Sequence, residues 1–281
     1  MAPSPRSLVL DLISTLGGES MPVGALVAAG ALFGIPENAM RVAITRLLAT
    51  GALARDERGR YRLGPAAAPL GERVVSWRRL EDRVGRWQGR WVAVHGAGLS
   101  RGRGKAAARA ARALRLLGFA SFGRDLALRP DNLRGGVAGV REELLALGLP
   151  AGTEVFALSE LDAGAEARAR SLWDTAALRA GYARSRLALA KSEARLARAT
   201  EEAAMAESFR LGGRVIRELV SDPLLPEPLL PAAERRALVA AMRRYDRVGR
   251  RIWAGFMARY GAPHAALPAD GLAVAFARGA G

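Results

Sequence analysis

Late in the chain, Asp222 to Pro231 reads DPLLPEPLLP and holds four prolines. Each proline fixes its own φ, removes a backbone donor and drives the residue before it out of the helical region, so no regular helix can cross this stretch. Long alanine- and arginine-rich runs with helical character flank it, from Arg184 to Val220 and from Ala232 to about Tyr260. The segment is therefore a rigid extended crossover between long helices. With Glu166 to Tyr182 reading as a further helix, everything beyond Asp162 is expected to be helical, up to an Ala/Gly-rich tail after His264.

The opening segment has a different grammar. Leu8, Leu12, Ile13 and Leu16 recur at helical spacing within Arg6 to Leu16, and Gly17-Gly18 stops that helix. A second helix runs from about Pro22 to Gly34, and Gly34-Ile35-Pro36 turns the chain into a third, from about Glu37 to Thr50. At about 100° per residue, Met40, Ile44, Leu47 and Leu48 gather on one side of this third helix. Asn38, Arg41, Val42, Thr45 and Arg46 fall on the other, the arrangement of a recognition helix that packs inward and offers hydrogen-bonding side chains to a groove. Leu53-Ala54-Arg55 and Arg60-Tyr61-Arg62-Leu63 can then pair around Asp56-Glu57-Arg58-Gly59 as a basic hairpin. Helix, helix, polar-faced helix and hairpin in that order make a winged helix-turn-helix, although small three-helix bundles also serve as protein-interaction modules.

A connector from about Ala66 to Arg90 carries Val74, Trp77 and Leu80 on a helix. From Trp91 the order becomes strand (Trp91–Val94), helix (Lys105–Leu117), two short strands within Phe119–Arg129, helix (Val137–Leu147) and strand (Glu154–Leu158). This βαββαβ order implies a ferredoxin-like domain. The fold class is thus mainly α with α+β parts, divided as 1–65, connector 66–90, 91–162 and a helical dimerisation or effector domain 163–281.

Composition narrows the chemistry. A formal charge of +16 in 281 residues favours a polyanionic partner, but all but two of the 43 basic residues are arginine, which with abundant alanine also fits a GC-rich coding bias. No cysteine is present, which removes disulfides, thiolate metal sites and a cysteine nucleophile, and the only histidines are His95 and His264. No apolar run reaches the ~18 residues of a membrane span and the N-terminus lacks a signal-peptide core, so a cytoplasmic protein without a membrane partner is expected.

Sites for catalysis do not assemble. The glycine-rich stretch from Gly96 to Lys105 lacks the Gly-Lys-Ser/Thr ending of a phosphate loop, because Ala106 follows. Glu142-Glu143 and Glu201-Glu202 fit solvated helix faces, and His95 fits a strand-end packing residue. A nuclease built on the central domain would want an acidic ligand at the end of its first strand, where Val94-His95-Gly96 offers none. The chain is expected to be no enzyme and to hold no metal or cofactor. Trp173 and Tyr182, with Arg179 beside them, are either core or the wall of an apolar pocket with a cationic rim, which suits an acyl group tethered to phosphates.

Laid end to end, these stretches resemble the PaaX family of repressors, named for control of phenylacetic acid degradation. The resemblance is carried by SLVLDLI (Ser7 to Ile13), FGIPENAMRVAITRLLATGAL (Phe33 to Leu53), Arg60 to Leu63 and Trp91. LRLLGFASFGRDLALRPDNL (Leu114 to Leu133), LWDTAALRAGY (Leu172 to Tyr182) and DPLLPEPLLP complete it. It implies a homodimer on pseudo-palindromic operators of double-stranded DNA, released by a coenzyme A thioester. Asn38, Arg41, Val42, Thr45 and Arg46 then occupy the recognition-helix positions, and Arg58, Arg60 and Arg62 those of the wing. Trp173, Arg179, Tyr182, Arg214 and Arg217 are the candidate effector residues. Before Asp222 the chain departs from the family, reading Gly213-Arg214-Val215-Ile216-Arg217 where a His-acid-aromatic-Arg run is common.

Overall fold

The computed structural model describes residues 3–56, 58–96 and 104–262. Glu57 in the hairpin tip, most of the glycine-rich loop, His264 and the tail lie outside them. The described chain is mostly helical with small antiparallel sheets and gathers into two units, Met1–Ala66 with Arg251–Gly281, and Ala67–Arg250.

Unit 1 holds α1 (Pro5–Ser14), α2 (Val23–Ala31) and α3 (Glu37–Ala49), then β1 (Leu53–Arg55) and β2 (Tyr61–Leu63). The Ser4 hydroxyl caps α1 by accepting from the Ser7 amide at 3.1 Å, and Pro5 fits the first turn where no amide partner is needed. Leu8, Val9, Leu12 and Ile13 of α1 meet Ala25, Leu26 and Ala29 of α2 and Met40, Ile44 and Leu47 of α3 in a core where each is at most 3% exposed. Gly30 lets α2 and α3 cross closely, since a Cβ there would stand 2.6 Å from Met40 Cγ. Gly34, at φ +69°, makes the turn between them in a region that penalises other residues. One pairing escaped the sequence reading: Met21 N–H donates to Tyr61 O at 2.8 Å and Tyr61 N–H to Met21 O at 2.9 Å, giving the hairpin a third extended neighbour.

In unit 2, α4 (Ala68–Val75) and a 3₁₀ stretch (Ser76–Arg83) lead to β3 (Trp91–His95), α5 (Lys105–Leu116), β4 (Ala120–Gly123), β5 (Leu126–Pro130), α6 (Gly136–Ala146) and β6 (Glu154–Leu158). The sheet order is β4-β5-β3-β6, with every neighbouring pair antiparallel. Trp91 to Val94 are all inaccessible, so both faces of the central strand are covered. On one face Trp91, Ala93 and Leu128 pack with Ala169, and Trp87, Leu172 and Trp173 close the cluster.

The helical part keeps the expected last helix but departs from the expected helices Glu166 to Tyr182 and Arg184 to Val220, whose boundaries fall elsewhere. It forms α7 (Ala163–Arg170), α8 (Thr175–Leu196), α9 (Glu201–Val220) and α10 (Ala233–Arg259). The breaks fall where Asp174 accepts from the Ala177 amide at 2.8 Å and Thr200 from the Ala203 amide at 3.4 Å. Both residues cap the helix that follows, and a cap requires non-helical backbone at its own position. The connector likewise is not one helix, because its second half tightens to 3₁₀ with Arg79 out of helical geometry.

DPLLPEPLLP forms no helix, as its prolines dictate, but it is not extended throughout. The chain turns at residues 227–229, where the Leu229 and Leu230 amides both donate to the Pro226 carbonyl at 2.9 Å. The segment is deeply set, with Leu224, Leu225 and Leu230 each 1% exposed. Gly118 admits it, since a Cβ there would lie 2.4 Å from Pro223 Cα. Leu224 sits at φ +53°, held by its backbone N–H donating to Asp222 Oδ1 at 2.8 Å and by Asn132 Nδ2 donating to its carbonyl at 2.7 Å. Among the described residues no helix is long and apolar enough to cross a membrane.

Candidate nucleic-acid interface

Helix α3 begins after Pro36, whose extended backbone launches it without a side-chain cap, and its periodicity sorts its residues sharply. Met40, Ala43, Ile44 and Leu47 are buried; Asn38, Arg41, Val42, Thr45 and Arg46 are all exposed. All five expected recognition residues thus share one solvent face. Val42 is 40% exposed, an apolar group among polar ones of the kind that meets a thymine methyl. Thr45 turns its hydroxyl back to the Arg41 carbonyl at 3.1 Å. Glu37, absent from the expected set, accepts from Arg41 Nε at 2.7 Å and lies 2.6 Å from its Nη2. The i,i+4 spacing of acid and arginine was the available sequence signal.

The hairpin is organised by Asp56. Its Oδ1 accepts from the amides of Arg58 at 3.0 Å and Arg60 at 2.8 Å, and its Oδ2 from the Ser20 hydroxyl at 2.5 Å. These bonds, the Ser20 hydroxyl foremost, hold the carboxyl below the usual aspartate range. Arg58 and Arg62 are exposed, as expected of a wing. Arg60 is not placed as expected. Its guanidinium donates to the Ser20 carbonyl at 2.9 Å, the Ser20 hydroxyl at 3.2 Å and the Gly261 carbonyl at 3.0 Å, so it ties the hairpin to its own unit. Carbonyl oxygens without partners attract the nearest multivalent donor, and the arginine fork reaches two of them together.

The five effector candidates do not converge. Trp173 stacks on Trp91 with ring centroids 6.2 Å apart and donates to the Gly118 carbonyl at 3.2 Å. Tyr182 is buried and donates to Asp222 Oδ2 at 2.5 Å, and burial, with the neighbouring Asp222 carboxylate, drives its hydroxyl far above the usual tyrosine range. Tyr182 is therefore a core residue, and Trp173 is half-buried against the sheet cluster. Arg214 and Arg217 are exposed on α9. Arg179 bonds Glu234 through Nε at 3.0 Å and Nη2 at 2.8 Å and lines an open groove of about 430 Å³ with Ala176, Ala180, Ala183 and Arg186.

The buried charges of unit 2 act as struts. Arg129, 1% exposed, caps the Leu117 carbonyl and donates to Asn132 Oδ1 at 3.0 Å, while burial lowers its pKa to about 9. Arg73 reaches the Leu116 carbonyl, the Val220 carbonyl at 3.2 Å and Glu143 at 3.2 Å. Arg235 pairs with Glu81 at 2.9 Å. His95, expected to pack, is an exposed strand end 3.1 Å from Glu154 Oε2 across the register. Among the described residues no group of three or more His, Cys, Asp or Glu could hold a metal ion.

Residues 4–66, nearly all of this first segment, match the family model described as PaaX-like protein. No curated protein matches the chain. Among solved structures it is similar to the uncharacterized protein Rv0674 from Mycobacterium tuberculosis, at 25% identity and a TM-score of 0.55, over 90% of this chain and 99% of that one.

Proposed function

We propose, from the match of residues 4–66 to the PaaX-like family model, that this chain is a transcriptional regulator that binds double-stranded DNA. The observation that carries the reading is the exposed arc of Asn38, Arg41, Val42, Thr45 and Arg46 above a buried Met40, Ala43, Ile44 and Leu47. On this reading segment 1–65 is a winged helix-turn-helix, α3 enters the major groove, and Arg58 and Arg62 contact phosphates from the hairpin. Segment 91–162 is a ferredoxin-like scaffold, consistent with its strand order, and 163–281 serves dimerisation and effector sensing.

A single winged helix spans few base pairs, so a two-fold dimer on two half-sites supplies the remaining specificity. The effector is an aryl- or acyl-CoA thioester, for which Arg179 and Arg186 beside the open groove would supply cations to the phosphates. Duplexes enriched by the full-length protein from a random library, then used in gel shifts, test the reading. Enrichment of a two-fold motif, lost on Arg41→Ala in a folded variant, is expected. Salt-sensitive binding with no enriched motif would leave only a polycation and refute it.

A further inference from the structure

We propose that Glu37 is a positioning residue for base readout, holding the Arg41 guanidinium in the orientation that reads a guanine. The inference rests on the DNA-binding reading above and adds a residue to it. Glu37 is the only acid on the exposed arc of α3. A carboxylate facing DNA repels phosphates, and general binding would be stronger without it. As a helix stabiliser an exposed i,i+4 pair changes a folding constant only about twofold, and an acid in the first turn adds a comparably small effect.

The geometry gives the pair a second role. Both Arg41 contacts, 2.7 Å from Nε and 2.6 Å from Nη2, fall on the single atom Glu37 Oε1. The carboxylate therefore grips one edge of the guanidinium and leaves the edge that carries Nη1 for another acceptor. Guanine O6 and N7 form an acceptor pair that an arginine fork matches. The side chains of Arg41 and Glu37 are 56% and 59% exposed, so without this contact Arg41 would sample many rotamers and lose that freedom on binding. Thr45, bonded to the Arg41 carbonyl at 3.1 Å, does not compete for the guanidinium.

Selection from a random duplex library with full-length wild type, Glu37→Ala, Glu37→Gln and Arg41→Ala provides the test, alongside affinity for an unselected duplex. Glu37→Ala and Arg41→Ala should relax the same guanine position, by about tenfold for Glu37→Ala, within the range one bidentate contact discriminates. Glu37→Gln, which keeps an acceptor, should retain part of the preference. Affinity for unselected duplex should rise severalfold in Glu37→Ala, while its melting temperature falls by no more than a few degrees, the size of the small helix-stabilising effect. A Glu37→Ala motif identical to that of the wild type, or a uniform loss of affinity with the motif intact, overturns the proposal and leaves the DNA reading standing. Failure of the wild type to enrich any motif overturns both.

Discussion

Replacing Arg60 by alanine separates a structural arginine from a DNA-contacting one. The guanidinium makes three bonds, to the Ser20 carbonyl, the Ser20 hydroxyl and the Gly261 carbonyl, in a partly buried setting. Hydrogen bonds from a charged donor contribute roughly 1.5 to 3 kcal/mol each when well sheltered, and solvent reaching these positions after truncation recovers much of that. A net loss of about 1 to 2 kcal/mol is expected, with a drop of ~4 to 16 °C in the melting of a unit this small. Urea unfolding followed by circular dichroism would report the first quantity. The slope of log K against log salt on an enriched duplex would report the role in binding. If Arg60 neutralised a phosphate, its removal would reduce that slope by about 0.9 and leave stability alone. Unchanged stability with a shallower slope would refute the argument from geometry.

Arg58→Ala should behave in the opposite way, with unaltered unfolding and a salt slope shallower by about 0.9 on any duplex sequence. Gly64→Ala should destabilise unit 1 by at least ~2 kcal/mol in urea unfolding, because its Cβ would lie 2.3 Å from the Gly51 carbonyl oxygen, and backbone cannot swing aside as a side chain can. Tyr182→Phe should cost ~1 to 3 kcal/mol in unit 2 by leaving Asp222 Oδ2 short of its donor, read by the same unfolding method. The lowered pKa of Asp56 means that the unfolded chain binds its proton more readily than the fold does. Its stabilisation is thus fully present above the ordinary aspartate pKa and fades as pH falls through the lower folded value, and acid titration of Asp56→Asn should lack that component.

What the sequence determined by itself is whatever a local rule enforces. Helical periodicity placed Met40, Ile44 and Leu47 inward and Asn38, Arg41, Val42, Thr45 and Arg46 outward, since 3.6 residues per turn fixes relative direction before any partner is known. Proline chemistry in the same way kept Asp222 to Pro231 out of a helix. The breaks at Asp174 and Thr200 were not legible in this way: both residues have cap chemistry, but the surrounding alanine, which favours helix everywhere, masks them. The tertiary structure decided the fate of groups whose partners are distant in sequence. Arg60 binds a carbonyl 201 residues away, and Trp173 and Tyr182, nine positions apart, serve the sheet cluster and Asp222. No spacing rule carries such information, because a long polar or aromatic side chain goes to whichever unsatisfied group or apolar gap the packed chain brings within its reach.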